Sequence, residues 1–168
     1  PAAQAGLNGE RYRVPILASA MDGVVDVHFA VAFGKLGGLA VLNLEGVETR
    51  YEHPEEILRK IVKAKDHGAT ELLQKIYREP IKEKLIAKRV AQIKAGKAAA
   101  AVSAIPQRAA AFGPIAQEAG ADVFVVQSTV STVRHLSREY RSLDIAKFCK
   151  TMKIPVIVGN CVTYRVAL

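Results

Sequence analysis

The sequence is poor in cysteine and in aromatic residues. Its 168 residues include two cysteines and no tryptophan, and aromatic residues make up 6% of the chain. Cys149 and Cys161 show neither the zinc-type nor the thioredoxin-type CxxC spacing, so we expect free thiols and no disulfide framework. The four histidines are scattered without an HExxH or other ligand spacing, and we therefore expect no metal site.

The sequence also lacks a long apolar run and a recognisable leader. No apolar stretch approaches the roughly 18 residues needed to cross a bilayer. The first residues, PAAQAGLNGERYRV, do not have the basic and then apolar pattern of a signal peptide. We therefore expect a cytoplasmic protein with no membrane partner. Half of the residues are apolar, which is enough to build the core of one domain at this length.

Positive charge is concentrated in one part of the chain. The net charge is +8, and residues 59–97 alone carry 12 lysines and arginines against four acidic residues. Apolar residues recur through this segment at helical spacing, and aromatic residues do not alternate with the basic ones as they do in single-strand nucleic-acid binders. The pattern favours solvated helix faces. We do not expect a nucleic-acid partner, but a basic binding surface remains the alternative.

Five short runs rich in valine, isoleucine and alanine predict β-strands. The runs are Pro15–Ala18, Leu39–Asn43, Ala98–Ser103, Val123–Gln127 and Pro155–Asn160. They are almost entirely apolar, which is typical of strands covered on both faces, and helix-length segments separate them. The sequence therefore predicts an α/β fold with a parallel sheet.

The connections between the strands carry helix signals. Helices are expected over Val27–Leu36, from about Pro54, over Gln107–Ala119 and over Leu143–Met152, with one or two more across Glu71–Ala95. Asp26 is a suitable N-cap for the first of them. The second connection is too long for one helix, and we expect a helical insert over about residues 48–97.

Polar residues at the strand ends distinguish a barrel from a dinucleotide-binding sheet. The turn after the first strand reads SAMDG and not GxGxxG, which weakens the dinucleotide-fold interpretation. The polar residues that follow the strands are Ser19, Asp22, Asn43, Glu45, Ser103, Gln127, Ser128, Asn160 and Thr163. In a (β/α)8 barrel such positions share one mouth, where active sites are built. Five strands make only a partial barrel.

Several separate motifs resemble one enzyme family. The stretch PILASAMDGVVDVHFAVAFGKLGGLAVLNLEG and the later segments TRYEHPEEIL, AAAAVSAIP, AGADVFVVQSTVSTVRHLS and IPVIVGNCVTY resemble the inosine 5′-monophosphate (IMP) dehydrogenase and GMP reductase superfamily, in particular its IMP dehydrogenase-related branch. The resemblance covers nearly the whole chain. It implies that residues 1–168 are the N-terminal portion of one (β/α)8 TIM-barrel catalytic domain, about five βα units long. The insert is too short for the pair of CBS modules found in better-known members.

The resemblance implies a reaction for the intact parent protein. A cysteine thiolate attacks C2 of IMP, hydride passes to NAD, and hydrolysis of the thioimidate gives XMP. The family's catalytic cysteine follows the sixth strand and so lies beyond Leu168. We therefore assign no catalytic residue within the chain and expect the fragment alone to be inactive. Two alternatives stay open, namely GMP reductase, which converts GMP and NADPH to IMP and ammonia, and a non-catalytic α/β binding module.

The resemblance also implies partners and ligand contacts. A purine nucleotide substrate, NAD or NADP, a K⁺ ion at loops beyond this chain, and a tetrameric or octameric homo-oligomer are expected. Ser19 and Met21 match the family positions that contact the nucleotide, with the methionine thioether packing on the purine. Asn160 matches the asparagine between nucleotide and nicotinamide, where an amide offers both a donor and an acceptor.

The end of the fourth predicted strand departs from the family pattern. Gln127, Ser128 and Thr129 match positions that face the dinucleotide, but both named enzymes usually have aspartate where this chain has Gln127. A neutral amide keeps hydrogen bonding and removes a charge, so cofactor preference and reaction direction stay open. Cys161 precedes a helix start and does not match the family's nucleophile; we expect a structural role for it, and a core position for Cys149.

Overall fold

The computed structural model of the chain describes residues 5–7, 10–64, 68–128 and 143–167. The strands are β1 (Ala5–Leu7), β2 (Glu10–Tyr12), β3 (Leu17–Ala18), β4 (Leu39–Asn43), β5 (Ala101–Ala104), β6 (Val123–Gln127) and β7 (Val156–Gly159). The helices are α1 (Val27–Lys35), α2 (Pro54–Lys63), α3 (Ala69–Arg78), α4 (Glu83–Ala95), α5 (Pro106–Glu118), α6 (Ile145–Thr151) and α7 (Tyr164–Ala167). A 3-10 turn covers Val47–Thr49. No helix in these ranges is long and apolar enough to span a bilayer.

Strands β3 to β7 form one parallel sheet, and their spatial order is their order along the chain. A doubly wound dinucleotide fold would reverse its strand order at a switch point. Sequential order is instead the winding of a βα barrel, so the prediction of a partial barrel is confirmed and the dinucleotide fold is excluded.

The bounds of three strands differ from the prediction. The predicted strand Pro15–Ala18 is reduced to two paired residues, Ala98–Ser103 is replaced by Ala101–Ala104, and Pro155–Asn160 is shortened to Val156–Gly159. Strands β1 and β2 form an antiparallel hairpin in which Tyr12 pairs with Ala5. This hairpin was not predicted from the sequence. Strands of three residues are too short to show an alternating pattern.

The larger part of the core lies between the sheet and its helices. Fully buried members of this cluster include Leu42, Phe124, Ile86, Val90 and Ile93. Each large apolar side chain contributes about 1.5–3 kcal/mol by leaving water. A smaller cluster covers the opposite face of the sheet and consists of Ala20, Leu39, Val41, Ala101 and Val123. Burial on both faces explains why the strands are apolar throughout.

Side-chain caps start two of the connecting helices. The Asp26 carboxylate accepts from the Phe29 amide at 2.6 Å, which places the cap of α1 where the sequence predicted it. Asp144 does the same for α6, accepting from the Lys147 amide at 2.9 Å. Each cap satisfies a donor that the helix itself cannot.

The long connection between β4 and β5 holds three helices. Helix α4 packs against α1 and α5 in the helical layer. Helix α2 packs on α3 and on the 3-10 turn. We call α2 and α3 together the α2–α3 insert. The chain leaves α3 at Glu79 in extended conformation, as expected for a residue that precedes proline.

Candidate active site

The carboxyl ends of the parallel strands enclose a cleft of about 430 Å³. It is lined by Ala20, Asn43, Glu45, Ser103, Ala104, Ile105, Gln127, Ser128 and Asn160. The polar residues in this set were predicted to share one mouth, and the structure confirms that they do. We refer to this end of the sheet as the mouth and to the enclosed space as the cleft.

Strand register explains how the lining residues come together. Asn43 pairs with Ser103 and Ser103 with Val125, so the three side chains lie on the same face. Gln127, two residues beyond Val125, is opposite Gly159 on β7. Because glycine has no side chain, the space beside the Gln127 amide is left open.

Pairing between β6 and β7 continues past the strand ends. The Ser128 amide donates to the Gly159 carbonyl at 2.8 Å, and the Asn160 amide donates to the Ser128 carbonyl at 3.0 Å. These bonds place Ser128 and Asn160 side by side, as the assignment of both to one site requires. Thr129, the third predicted cofactor contact on β6, lies outside the described residues.

The two residues predicted to contact the nucleotide lie at the rim. Ala20 lines the cleft, whereas Ser19 and Met21 on either side of it do not. Both side chains are exposed, Met21 by 56%. The Met21 carbonyl accepts from the amides of Val24 and Val25, each at 2.9 Å, so a tight turn fixes the backbone of this loop.

Asn43 holds the loops of the mouth together. Its Oδ1 accepts from the Glu45 amide at 2.9 Å, and its Nδ2 donates to Asp22 Oδ1 at 3.3 Å. The side-chain amide therefore joins the loop after β3 to the loop after β4. Its role in the described structure is to order the mouth.

Glu45 occupies the N-terminus of helix α5. Its Oε1 accepts from the Ile105 amide at 2.7 Å, and its Oε2 lies 3.6 Å from Arg108 Nε. Helix N-termini attract anions such as phosphates. Since Asp26 and Asp144 occupy the starts of α1 and α6, carboxylates of the protein hold these three positions. The cleft thus offers amides and hydroxyls suited to a ring, while these helix starts are not available to phosphates.

Sequence reasoning missed a contact that crosses the mouth. The Tyr77 hydroxyl on α3 donates to Asp22 Oδ2 at 2.6 Å, across 55 residues of sequence. Burial, and then the hydrogen bond to Asp22, raise the pKa of Tyr77, so the phenol stays a donor at neutral pH. The sequence named Asp22 as a polar strand-end residue but contained no signal for its partner.

A buried ion pair joins the 3-10 turn to helix α4. Arg89 Nε is 3.0 Å from Glu48 Oε2, and both side chains are about 5% exposed. The guanidinium also donates to the carbonyls of Glu48, Tyr51 and Glu52 and to the Gln92 side chain. Burial raises the pKa of Glu48 to about 7, against the opposing effect of Arg89. The prediction of solvated basic helix faces is therefore wrong for Arg89. Its side chain is buried, and its guanidinium donates hydrogen bonds to groups of the protein.

The cysteines do not form a reactive pair in the structure. Cys161 is exposed just beyond β7, with its Sγ 3.8 Å from the Val158 carbonyl. Cys149 is half-buried, and its neighbour Phe148 is the residue of α6 that enters the core. The prediction that Cys149 lies in the core is therefore wrong, because the core position on α6 belongs to its neighbour Phe148.

One group of potential metal ligands occurs among the described residues. His53, Glu55 and Glu56 bring ligand atoms within 4.8 Å of one another, and all three are exposed. They stand at the start of α2, where the helix dipole favours anions over cations. This group is remote from the lining of the cleft and has no part in the candidate site.

Known proteins show the same sequence pattern and the same fold. The model of the family described as "IMP dehydrogenase / GMP reductase domain" matches residues 7–168. An uncharacterized oxidoreductase of Mycolicibacterium smegmatis is 32% identical over 167 residues, which cover 96% of this chain and 44% of the relative. An uncharacterized oxidoreductase of Mycobacterium tuberculosis is 30% identical with the same coverage.

A solved structure agrees with the fold described above. The crystal structure of an IMP dehydrogenase/GMP reductase-like protein from Corynebacterium glutamicum superposes with a TM-score of 0.90 at 28% sequence identity. The superposition covers 99% of this chain and 44% of that one. The chain therefore spans less than half the length of these relatives.

Proposed function

The chain belongs to the IMP dehydrogenase / GMP reductase family, and from that premise we propose that the protein containing it is a nicotinamide-dependent oxidoreductase acting on a purine nucleotide. The proposed reaction is oxidation of IMP to XMP with NAD. The name oxidoreductase carried by its relatives supports the reaction class. The observation that carries the proposal is the cleft, where amide and hydroxyl side chains from neighbouring strands face one small volume.

The cleft suits the edge of a flat heterocycle. Purine and nicotinamide rings both present hydrogen-bond donors and acceptors at their rims, and the side-chain amides of Gln127 and Asn160 can match either kind. Ala20 and Ala104 supply small apolar wall positions between them. A cleft of about 430 Å³ lies within the size range of small-molecule sites, roughly 300–1,000 Å³.

We assign the nucleotide contact to Ser19 and Met21 at the rim. Met21 exposes 56% of a large apolar side chain beside a polar mouth. A polarisable thioether in that position can cover the face of a purine, and the ring would remove it from water. Asn160 is assigned the position between nucleotide and nicotinamide, because it stands at the open end of the cleft beside Ser128.

Gln127 and Ser128 are assigned to the nicotinamide end of the cofactor, with Thr129 as a further proposed contact. The cofactor, when bound, supplies the hydride acceptor. The residues present fit its ring, since they are neutral hydrogen-bonding groups lining a small cleft. The starts of α1, α5 and α6 offer no site for its phosphates, because each already binds a carboxylate of the protein. We therefore propose that the phosphate contacts come from outside this chain.

The nucleophilic cysteine is also assigned outside this chain. Cys161 is placed near the mouth but points its thiol toward the Val158 carbonyl. The family resemblance puts the reactive cysteine on a later loop, so the 168-residue chain alone is expected to bind without turnover. The roles of this chain are then to position the nucleotide, to orient the nicotinamide ring and to order the loops of the mouth.

Gln127 keeps a second candidate open, a GMP reductase. The aspartate that both named enzymes usually have at this position is replaced by a neutral amide, which changes the charge beside the proposed nicotinamide site. A neutral side chain at this position does not select between the oxidised, positively charged ring and the reduced, neutral ring. The same scaffold would then convert GMP and NADPH to IMP and ammonia.

Parallel assays of the protein containing this chain separate the candidates. XMP formation from IMP and NAD supports the dehydrogenase, and ammonia release from GMP and NADPH supports the reductase. Asn160→Ala should lower kcat/KM at least about tenfold by removing one amide contact. Gln74→Ala removes the same group from the exposed face of α3 and should change nothing. Absence of both reactions, together with salt-sensitive RNA binding, would instead support a binding module.

A further inference from the structure

The α2–α3 insert reaches the mouth through Tyr77. The hydroxyl of this residue, near the end of α3, donates to Asp22 Oδ2 at 2.6 Å. Asp22 directly follows Met21, so the contact acts next to the proposed nucleotide-binding residue. Tyr77 itself does not line the cleft, so its contact with the mouth is made through Asp22.

The Asp22 carboxylate is held from several sides. Asn43 Nδ2 donates to Oδ1 at 3.3 Å, and the Val47 amide donates to Oδ2 at 2.9 Å. The backbone of Gly46 packs so closely that a Cβ there would lie 1.7 Å from Oδ1. One carboxylate therefore connects the loop after β3, the loop after β4 and the insert.

The end of α3 that presents Tyr77 is itself anchored. Tyr51 donates its hydroxyl to the Ile76 carbonyl at 3.0 Å. The Arg50 guanidinium donates to the carbonyls of Glu45 and Glu79 and lies 5.6 Å from the centre of the Tyr77 ring. Because the helix end is fixed to the mouth, the Tyr77 hydroxyl has a defined position relative to Asp22.

We propose that Tyr77 is a positioning residue for purine-nucleotide binding, acting through Asp22 on the loop that carries Ser19 and Met21. This inference rests on the proposed function. Without the phenolic donor, Asp22 keeps its bonds from Asn43 and Val47 but loses its link to the insert. The loop turn around Met21 then samples more positions, and binding of the nucleotide must order it again.

Two hydroxyl deletions give the comparison in the protein containing this chain. Tyr77→Phe removes the donor to Asp22, whereas Thr151→Val removes a hydroxyl that donates to the Phe148 carbonyl at the end of α6. Helix α6 ends shortly before β7 begins, so Thr151 lies at the end of the sheet opposite the mouth. With the nucleotide that the protein turns over, Tyr77→Phe should raise KM about three- to tenfold at nearly constant kcat. Thr151→Val should stay within about twofold. Equal KM changes in both variants would overturn the proposal.

Hydrogen exchange tests the same contact without turnover. The amides of Val24 and Val25 donate to the Met21 carbonyl, and they should exchange faster in Tyr77→Phe than in Thr151→Val. Unchanged exchange in Tyr77→Phe would overturn the positioning role even in an active enzyme. If the wild-type protein binds no purine nucleotide, the proposed function fails, while the exchange difference still reports on the contact between Tyr77 and Asp22.

Discussion

The carboxylate of Asp22 leaves no space for a side chain at Gly46. A Cβ at Gly46 would lie 1.7 Å from Oδ1, whereas a Cβ at Gly23 would meet nothing within 4 Å. We expect Gly46→Ala to lower the free energy of unfolding by about 1–3 kcal/mol through overpacking. Gly23→Ala should stay within about 0.5 kcal/mol. Urea denaturation of both variants measures the difference, and equal stabilities would show that the carboxylate moves away freely.

Glu48 makes stability depend on pH. Its pKa is about 7 in the folded chain against an ordinary pKa of 4.5, so between these values the folded chain holds a proton that the unfolded chain releases. Stability should therefore fall as pH rises through this window, by up to about 3 kcal/mol. Below this pH window Glu48 is protonated in both the folded and the unfolded chain. Above the window the stability that the Glu48 proton contributes is fully lost.

The variant Glu48→Gln should remove that part of the pH dependence. Glu118→Gln, at an exposed position at the end of α5 and not among the charges that shift the pKa of Glu48, should leave it in place. Urea midpoints measured from pH 4 to pH 8 give the slopes directly. A wild-type slope that survives in Glu48→Gln would assign the pH dependence to other groups.

Individual site residues were predictable where strand geometry alone decides their position. Asn43, Ser103 and Gln127 were named because the ends of parallel strands meet at one mouth. Tyr77, the hydrogen-bond partner of Asp22, was not predicted. The position of Tyr77 depends on where α3 ends in space. The burial of Arg89 was missed for a similar reason, since its acceptors are carbonyls of a loop about 40 residues earlier.

At the scale of elements, α5 depends on a cap from another loop. The Glu45 carboxylate accepts from the Ile105 amide and replaces the missing cap at this helix start. We expect Glu45→Ala to lower the free energy of unfolding by about 1 kcal/mol. Glu118→Ala removes an acidic side chain from the opposite end of α5, where it opposes the helix dipole, and should be neutral or slightly stabilising. Thermal melts of both variants test the assignment, and equal losses would contradict it.

Two of the five predicted strands have the same bounds in the structure. Leu39–Asn43 and Val123–Gln127 match β4 and β6 residue for residue. The hairpin of β1 and β2 was missed because each strand has three residues. The region of Glu71–Ala95 proved to contain parts of two helices, since Pro80 interrupts the pattern between them.

At the scale of the whole molecule, each outer strand of the sheet has one edge that pairs with no other strand of the described ranges. Strands β3 and β7 are the ends of the five-stranded order, and Ile16 and Leu17 beside the first edge are 58% and 48% exposed. The 168-residue chain produced on its own should therefore associate as concentration rises. Leu17→Lys should shift it toward the mass of a monomer, 18.1 kDa, because an edge charge opposes strand pairing.

A lysine far from the sheet edges provides the control for this experiment. Val62 on α2 is 84% exposed, and Val62→Lys adds the same charge without touching an edge strand. Light scattering after gel filtration should show that this variant associates like the wild type. A wild-type chain that remains monomeric at every concentration would contradict the role of the open edges.

The fold as a whole was predictable because strand order, strand composition and polar strand ends all indicate one winding. The family supports an oxidoreductase, whereas the substrate, the cofactor and the direction of the reaction stay predictions. The neutral amide of Gln127 does not decide that direction. The position of the insert over the mouth depends on single contacts such as that of Tyr77 with Asp22.

A crystal structure of the protein containing this chain, grown with IMP, tests whether the mouth is the nucleotide site. We predict a purine ring at the mouth, in van der Waals contact with Met21 and about 3 Å, a hydrogen-bond distance, from the Asn160 side chain. A nucleotide bound instead in the groove between α1, α2 and α4, which Glu48 and Arg89 border, or along the basic faces of the insert, would contradict it.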